Sequence, residues 1–251
     1  MNSYLDKKPG LAEPKCNSCS LNSLCLPLAL DTQGLGLLDN LLKKRKPLKK
    51  GEHLFREGDK FEAVYVVRSG SLKSYLLTSS GGEQITNFHL PSEMLALDDL
   101  HEPKHSFSCK ALETTLVCEL PFALLKNLLE QLPNLRQQLL MNLSKELRDG
   151  KQMMLLLSKK NADQKIASFL LNISKRFSRR GYSPYQFKLS MSRNEIGNYL
   201  GLAVETVSRS FTRLQAAEII SAQGKDIFLT DLEELSFLAD LQQQECQVSK
   251  T

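Results

Sequence analysis

The amino-acid sequence predicts an α+β protein in which a β-rich N-terminal domain leads into a long helix and then a winged helix-turn-helix. Three observations carry that reading. Turn signals punctuate residues 47–122, spaced roughly ten residues apart as in antiparallel sandwiches and barrels. An apolar heptad seam follows within 140–157;. A helix-start signature at Ser192 and a glycine at 201 then bracket the first of two short helices;.

The bulk numbers agree. A chain of 251 residues with 41% hydrophobic and 24% charged residues is globular, and long enough for two small domains;. The opening residues carry no apolar h-region, and no apolar run approaches the roughly 18 residues that span a bilayer. A cytoplasmic protein with no membrane partner is expected. In a reducing compartment, six cysteines more often bind metal or do redox work than form structural disulfides. Net charge is +5, but residues 159–225 hold twelve Lys/Arg against four acids, +8 locally, leaving −3 for the rest. That asymmetry suggests a polyanionic partner for the C-terminal third.

Four segments emerge. Residues 1–30 lack sustained periodicity and read as a loop carrying three cysteines. Residues 31–132 hold the strand signals, with turns at Lys50-Gly51, Gly58-Asp59, Ser69-Gly70, Gly81-Gly82 and Pro91-Ser92. Between them lie apolar runs such as Ala63–Val67, Leu72–Leu77 and Thr115–Leu120. Residues 133–160 are helical, with Leu140, Leu143, Leu147, Gly150, Met154 and Leu157 spaced 3, 4, 3, 4, 3. Such a seam predicts helix-on-helix pairing between two copies, an ordinary amphipathic helix packing on its own domain being the alternative. Residues 161–251 open with a helix over Ala162–Arg179, then a short strand at Phe187–Leu189, two short helices and a hairpin around Gln223-Gly224-Lys225.

Ser192-Arg193-Asn194-Glu195 is a capping box;. The helix it starts ends at Gly201, a residue able to adopt the left-handed conformation of a sharp turn. A second helix from about Ala203 to Gln215 places Val207 and Leu214 to bury against Ile196 and Leu200. This is a helix-turn-helix. Its outer face presents Glu205, Ser208, Arg209 and Arg213. Arg209 suits guanine and Glu205 suits cytosine N4 in the major groove of double-stranded DNA. A surface ion pair between Glu205 and Arg209 is the simpler alternative. Lys225, at the hairpin tip, would touch phosphate.

Cys16-x2-Cys19-x5-Cys25 sets three thiols within ten residues, enough for one loop to hold three corners of a metal centre. Spacing alone cannot choose a fourth ligand among Cys109, Cys118 and Cys246, nor separate an iron–sulfur cluster from zinc.

The runs Cys16 to Pro27, Ala111 to Phe122, Leu155 to Lys160 and Asn198 to Arg209 resemble the FNR/ANR family of anaerobic regulators, within the CRP/FNR superfamily. The similarity extends from Cys16 to about Thr230. The resemblance implies that Cys16, Cys19, Cys25 and Cys118 hold one [4Fe–4S] cluster per subunit. It implies that Glu205, Ser208 and Arg209 read TTGAT–N4–ATCAA-like palindromes, and that the cluster-loaded chain is a homodimer. Oxygen would convert the cluster toward [2Fe–2S], loosening dimer and DNA together. Cys109 then remains a buried or half-buried small residue and Cys246 a tail thiol. A thiol–disulfide regulator without iron is the competing function.

The same resemblance makes the β-rich domain a cyclic-nucleotide-binding-like β-roll. Its binding features are missing: His105 to Ala111 contains no Arg, and Pro91-Ser92-Glu93 replaces a Gly-Glu turn. No cyclic nucleotide is expected. The turn Ser79-Ser80-Gly81-Gly82-Glu83 matches one that contacts RNA polymerase in the family, usually with an acid where Gly82 stands. Glu83 is the candidate replacement, an ordinary solvent turn the alternative. Gly150 also replaces a common seam acid, which implies weaker repulsion between apo subunits. His101-Glu102-Pro103-Lys104-His105 matches a zinc-hydrolase pattern, but Pro103 disfavours the helix it needs, and no enzyme activity is expected.

Overall fold

Strand pleating shapes the first half of the molecule, because successive side chains point to opposite faces. In β2 (Ala63–Ser69) both faces are buried over most of the strand. Ala63, Tyr65 and Val67 enter one apolar cluster, and Val64 and Val66 enter another. The structure, a computed structural model, describes Cys16 and residues 19–21, 24–25, 30–43 and 45–240.

Two sheets enclose the first cluster. One is four-stranded, in the order β1 (His53–Phe55), β6 (Ser108–Ala111), β3 (Leu72–Leu77), β4 (Glu83–His89). The other sets β2 between β5 (Met94–Leu95) and β7 (Leu116–Pro121). All pairings are antiparallel, with Val66 opposite Cys118 and Val67 opposite Val117. Phe55, Leu72, Phe107, Cys109 and Val117 fill the space between the sheets.

Helices cover the outer face of the three-stranded sheet. The strand signals give no warning of α1 (Thr32–Leu41) or α2 (Phe122–Gln131). Asp31 caps α1 by accepting from the Gly34 N–H at 2.8 Å. Leu38 of α1 and Leu125 and Leu128 of α2 bury with Val64, Val66 and Leu120.

The next helix, α3 (Pro133–Lys159), starts with proline in its first turn, where the missing N–H costs nothing;. Its 27 residues span about 40 Å at 1.5 Å per residue. Leu135 and Leu139 bury against the roll, and Met153 and Leu156 pack against the C-terminal domain.

That domain comprises α4 (Ala162–Ser178), β8 (Gln186–Lys188), α5 (Arg193–Leu200), α6 (Val204–Ala216), β9 (Ile220–Gln223), β10 (Asp226–Leu229) and α7 (Leu232–Asp240). The strands form a sheet in the order β8-β10-β9. Ile196, Leu200, Val207 and Leu214 share one cluster, as the sequence pattern requires. Leu235 and Ala239 of α7, a helix absent from the sequence reading, close that core. The cluster also takes in Tyr75, Ile85, Phe88, Leu90 and Leu112 from the roll, so the two halves share apolar packing.

Midway along α3, burial first, then the carboxylates of Asp98 and Glu93, push the Glu146 carboxyl up to about 7. Its folded-state pKa thus exceeds the unfolded one. The associated stability is complete below the ordinary 4.5 and is lost as pH rises through about 7;. Thermal melts at about pH 6 and about pH 8 should show the wild type losing stability across that window. Glu146→Gln, which cannot ionise, should lose less and be the more stable protein at the higher pH.

Candidate DNA interface and thiol centre

The turn between α5 and α6 rests on three local features. The Ser192 hydroxyl accepts the Glu195 N–H at 3.2 Å, and the Glu195 carboxylate accepts the Ser192 N–H at 2.9 Å, closing the capping box. Gly201 ends α5 at φ 64°, the left-handed region that favours glycine;. Gly197 is the third, and the sequence pattern did not single it out. A Cβ there would stand 2.6 Å from the Leu202 carbonyl oxygen, so the turn closes only over glycine.

On α6, Val207, Ser210, Phe211 and Leu214 face inward. Glu205, Ser208 and Arg209 are exposed together on the opposite side. Ser208 Oγ donates to the Val204 carbonyl at 2.9 Å. Glu205 and Arg209 form no ion pair with each other among the described residues, so both heads stay available.

Two other candidates have different employment. Arg213 is exposed, but its guanidinium forks onto Asp163 in the first turn of α4, at 2.9 and 2.5 Å. It ties α6 to α4, an arrangement hidden from a reading of α6 alone. Lys225 does lie in the β9–β10 turn, yet its ammonium donates to the Ser190 carbonyl at 2.5 Å instead of projecting from the tip.

The thiols gather elsewhere. On β7, Val117 looks into the sandwich while Cys118 and Leu120 look toward the helices. Cys16, Cys25 and Cys118 all lie half-buried against the cluster built by Leu38, Val64, Leu120 and Leu135. The Cys16 N–H donates to Asp39 Oδ1 of α1 at 2.6 Å. Burial, then a hydrogen bond to Asp39 and its charge, then the neighbouring Cys25 and Cys118, hold the Cys16 thiol well above its ordinary pKa. Burial likewise raises Cys118, with Arg68 opposing and Cys19 adding to it. Of the four sequence-predicted thiols, Cys16, Cys25 and Cys118 share this apolar wall.

Among the described residues, no three His, Cys, Asp or Glu side chains are grouped tightly enough to hold one metal ion. A zinc ion about 2.3 Å from each sulfur needs closer packing than this. Thiols that each bind a different iron of a cluster stand further apart. Soft thiol donors on an apolar wall suit such a cluster, and Cys16, Cys25 and Cys118 line one. Cys109 is excluded from the group: it is fully buried between the sheets, where burial pushes its thiol up to about 12. Cys246 lies outside the described residues.

The remaining motifs resolve simply. His105 is buried with Nδ1 2.8 Å from Asp99, whereas His101 is exposed beside Glu102, so the histidines do not form a metal pair. The Glu83 carboxylate is taken by Lys73 at 2.7 Å and Lys110 at 3.0 Å and is not a free acid on the turn.

Comparison with known proteins decides the lineage. The cyclic nucleotide-binding domain model matches residues 45–132, and the Crp-like helix-turn-helix domain model matches residues 164–238. Transcriptional activator protein Anr of Pseudomonas protegens is 58% identical over 224 residues, covering 89% of this chain and 92% of the relative. The fumarate and nitrate reduction regulatory protein of Yersinia pestis is 46% identical over 224 residues, covering 89% and 90%. The solved structure of FixK2 from Bradyrhizobium japonicum aligns with TM-score 0.71 at 32% identity, covering 77% of this chain and 95% of that one.

The chain belongs to the CRP/FNR family. Within it the chain groups with the Anr and FNR anaerobic regulators. It is a DNA-binding transcription regulator, not an enzyme. No helix among the described residues is long and apolar enough to cross a membrane.

For this family member, Arg209→Ala should weaken binding to a specific DNA site by about 1–3 kcal/mol, roughly five- to 150-fold in a gel-shift titration. Arg213→Ala should change DNA affinity less and lower the melting temperature instead, because it loosens α6 from α4.

Proposed function

We propose that this regulator senses oxygen through one [4Fe–4S] cluster per subunit, held by Cys16, Cys19, Cys25 and Cys118. The cluster-loaded chain pairs along α3 in the cytoplasm, binds TTGAT–N4–ATCAA-like palindromes through Glu205, Ser208 and Arg209, and works with RNA polymerase to activate or repress genes of anaerobic metabolism. When bound, the cluster supplies an oxygen-labile tie between the N-terminal loop and β7.

The carrying observation is a shared apolar cluster. Cys16, Cys25 and Cys118 pack against the same residues that bury Leu135, Leu139 and part of Leu143 of α3. A loop held at β7 therefore presses on the wall that seats the helix. Leu143 is half-buried against that wall, beside the seam. Leu140, Leu147, Met154 and Leu157 remain 54%, 70%, 70% and 40% exposed. An apolar stripe of that length on a soluble surface calls for a second copy of the helix.

The fourth ligand is the sharpest test. Protein purified without oxygen should be brown and carry about four iron and four sulfide ions per chain. Cys118→Ala should abolish both, while Cys109→Ala should keep them. Colourless, iron-free protein whose DNA binding responds to dithiothreitol would establish the thiol–disulfide regulator instead.

Gly150 bears on the dimer. A Cβ there would meet nothing within 4 Å, so residue 150 has room for a side chain within its own chain. Glycine costs roughly 1 kcal/mol of helix stability but puts no charge on the seam. Sedimentation of apo-protein at tens of micromolar, a concentration at which mass action governs assembly, should show a dimer fraction that Gly150→Asp removes. Apo-protein wholly monomeric there would refute this role.

A further inference from the structure

The winged domain does not hang from α3 alone; it is seated on the four-stranded sheet at two flanks. On the first flank, Asn198 of α5 grips the β4 strand. Its Oδ1 accepts the Ile85 N–H at 2.6 Å, its Nδ2 donates to the Glu83 carbonyl at 2.6 Å, and its own carbonyl accepts from Gln84 Nε2 at 2.9 Å. Glu195, already closing the capping box, also takes the Lys73 ammonium at 3.2 Å.

On the second flank, Glu93 receives two arginines from the end of α4. Arg176 meets it with both ends of its fork, at 2.9 and 2.5 Å, and Arg180 adds a contact at 2.7 Å. Arg176 and Arg180 also donate to the Phe88 and Pro91 carbonyls, each at 2.5 Å. The side chains of Arg176 and Arg180 are 14% and 4% exposed. Between the flanks, the Phe88 ring lies 5.0 Å from Tyr199 and 6.3 Å from Phe169.

Three features separate this contact from incidental packing. Burying three charged groups is expensive, and a planar fork on a carboxylate returns orientation more than stability. The turn that presents Glu93 runs through Ser92 at φ 72°, a strained conformation for a non-glycine residue;. Finally, the docking uses α4 and α5 and leaves the exposed face of α6 uncovered. The contact thus fixes where the reading helix points without blocking it.

We infer that Glu93, Arg176, Arg180 and Asn198 form a positioning latch that sets the bearing of α6 on the β-roll, and that this bearing makes the protein discriminate the spacing between half-sites. The inference rests on the dimeric, palindrome-reading form proposed above. Two readers related by a two-fold axis must match half-sites about one helical turn apart. A domain free to swivel would meet altered spacings almost equally well, and would lose more freedom on binding.

The test compares full-length, cluster-loaded wild type with Glu93→Gln and Asn198→Ala. The probes are operators with the natural spacer or with one base pair removed or added. The wild type should prefer the natural spacer by about tenfold or more, as expected of a dimer with fixed half-site geometry. Each variant should shrink that preference to about threefold or less, as the freed bearing predicts, with binding to non-specific DNA unchanged. Amide exchange provides a readout that needs neither cluster nor DNA. Glu93→Gln should speed exchange at Ile85, on the far flank, if the two flanks hold as one unit. Wild-type spacer preference in both variants, or wild-type exchange at Ile85, would overturn the latch. Tighter operator binding by either variant would also overturn it, since the contact would then be a restraint against DNA.

Discussion

Val117 and Cys118 are consecutive in β7 and look in opposite directions, and the arrangement of the sensory half depends on that pleat. Val117 seals the sandwich, and Cys118 faces the layer of helices. Slipping the strand by one residue would bury the thiol between the sheets, where Cys109 already sits fully enclosed;. Register is held by the pairing of β7 with β2, whose two apolar faces leave no cheap alternative. Hydrophobic patterning thus aims the Cys118 thiol toward the helices.

From that wall outward the chain becomes a lever. α3 touches the thiol-lined cluster through Leu135, Leu139 and Leu143, and the winged domain through Met153 and Leu156. A change at its first turns reaches its last through a continuous helix, not through a sequence of loose contacts. Coupling of this kind requires that the two states differ in what they bury. In the proposed dimer the uncovered stripe along the same helix would supply that difference, exposed in one state and paired in the other.

Much of this was legible in the residues, and the gaps have physical causes. The capping box at Ser192 and the turn at Gly201 are local devices, complete within a few positions, and both formed as read. The boundaries of α3 and α4 follow from periodicity over many residues. By contrast α1, α2 and α7 are short, of nine or ten residues, and their apolar positions resemble strand runs when strands surround them. The intrachain contacts of Arg213, Lys225 and Leu143 were not legible for one reason: each is made to a partner far away in sequence. Asp163 is fifty positions from Arg213 and the Ser190 carbonyl thirty-five from Lys225. Gly197 escaped notice because its constraint, the Leu202 carbonyl, exists only once the turn has closed.

The scaffold also explains how one fold can exchange its input. A β-roll of this kind offers a turn that can present an acid, and here both oxygens of that acid, Glu93, are engaged by Arg176 and Arg180. The carboxylate is held down at about 2: burial opposes ionisation, and the two guanidiniums outweigh it. An ionised, doubly paired carboxylate is a poor acceptor for any further ligand, because each new bond must displace a charge-assisted one. The position therefore serves the join between domains, and in the proposed mechanism the input lies with the thiols beside β7 instead. Under that mechanism α3 would carry what passes between them, and the geometry of that helix, rather than the occupancy of the roll, would be the variable that DNA binding reads.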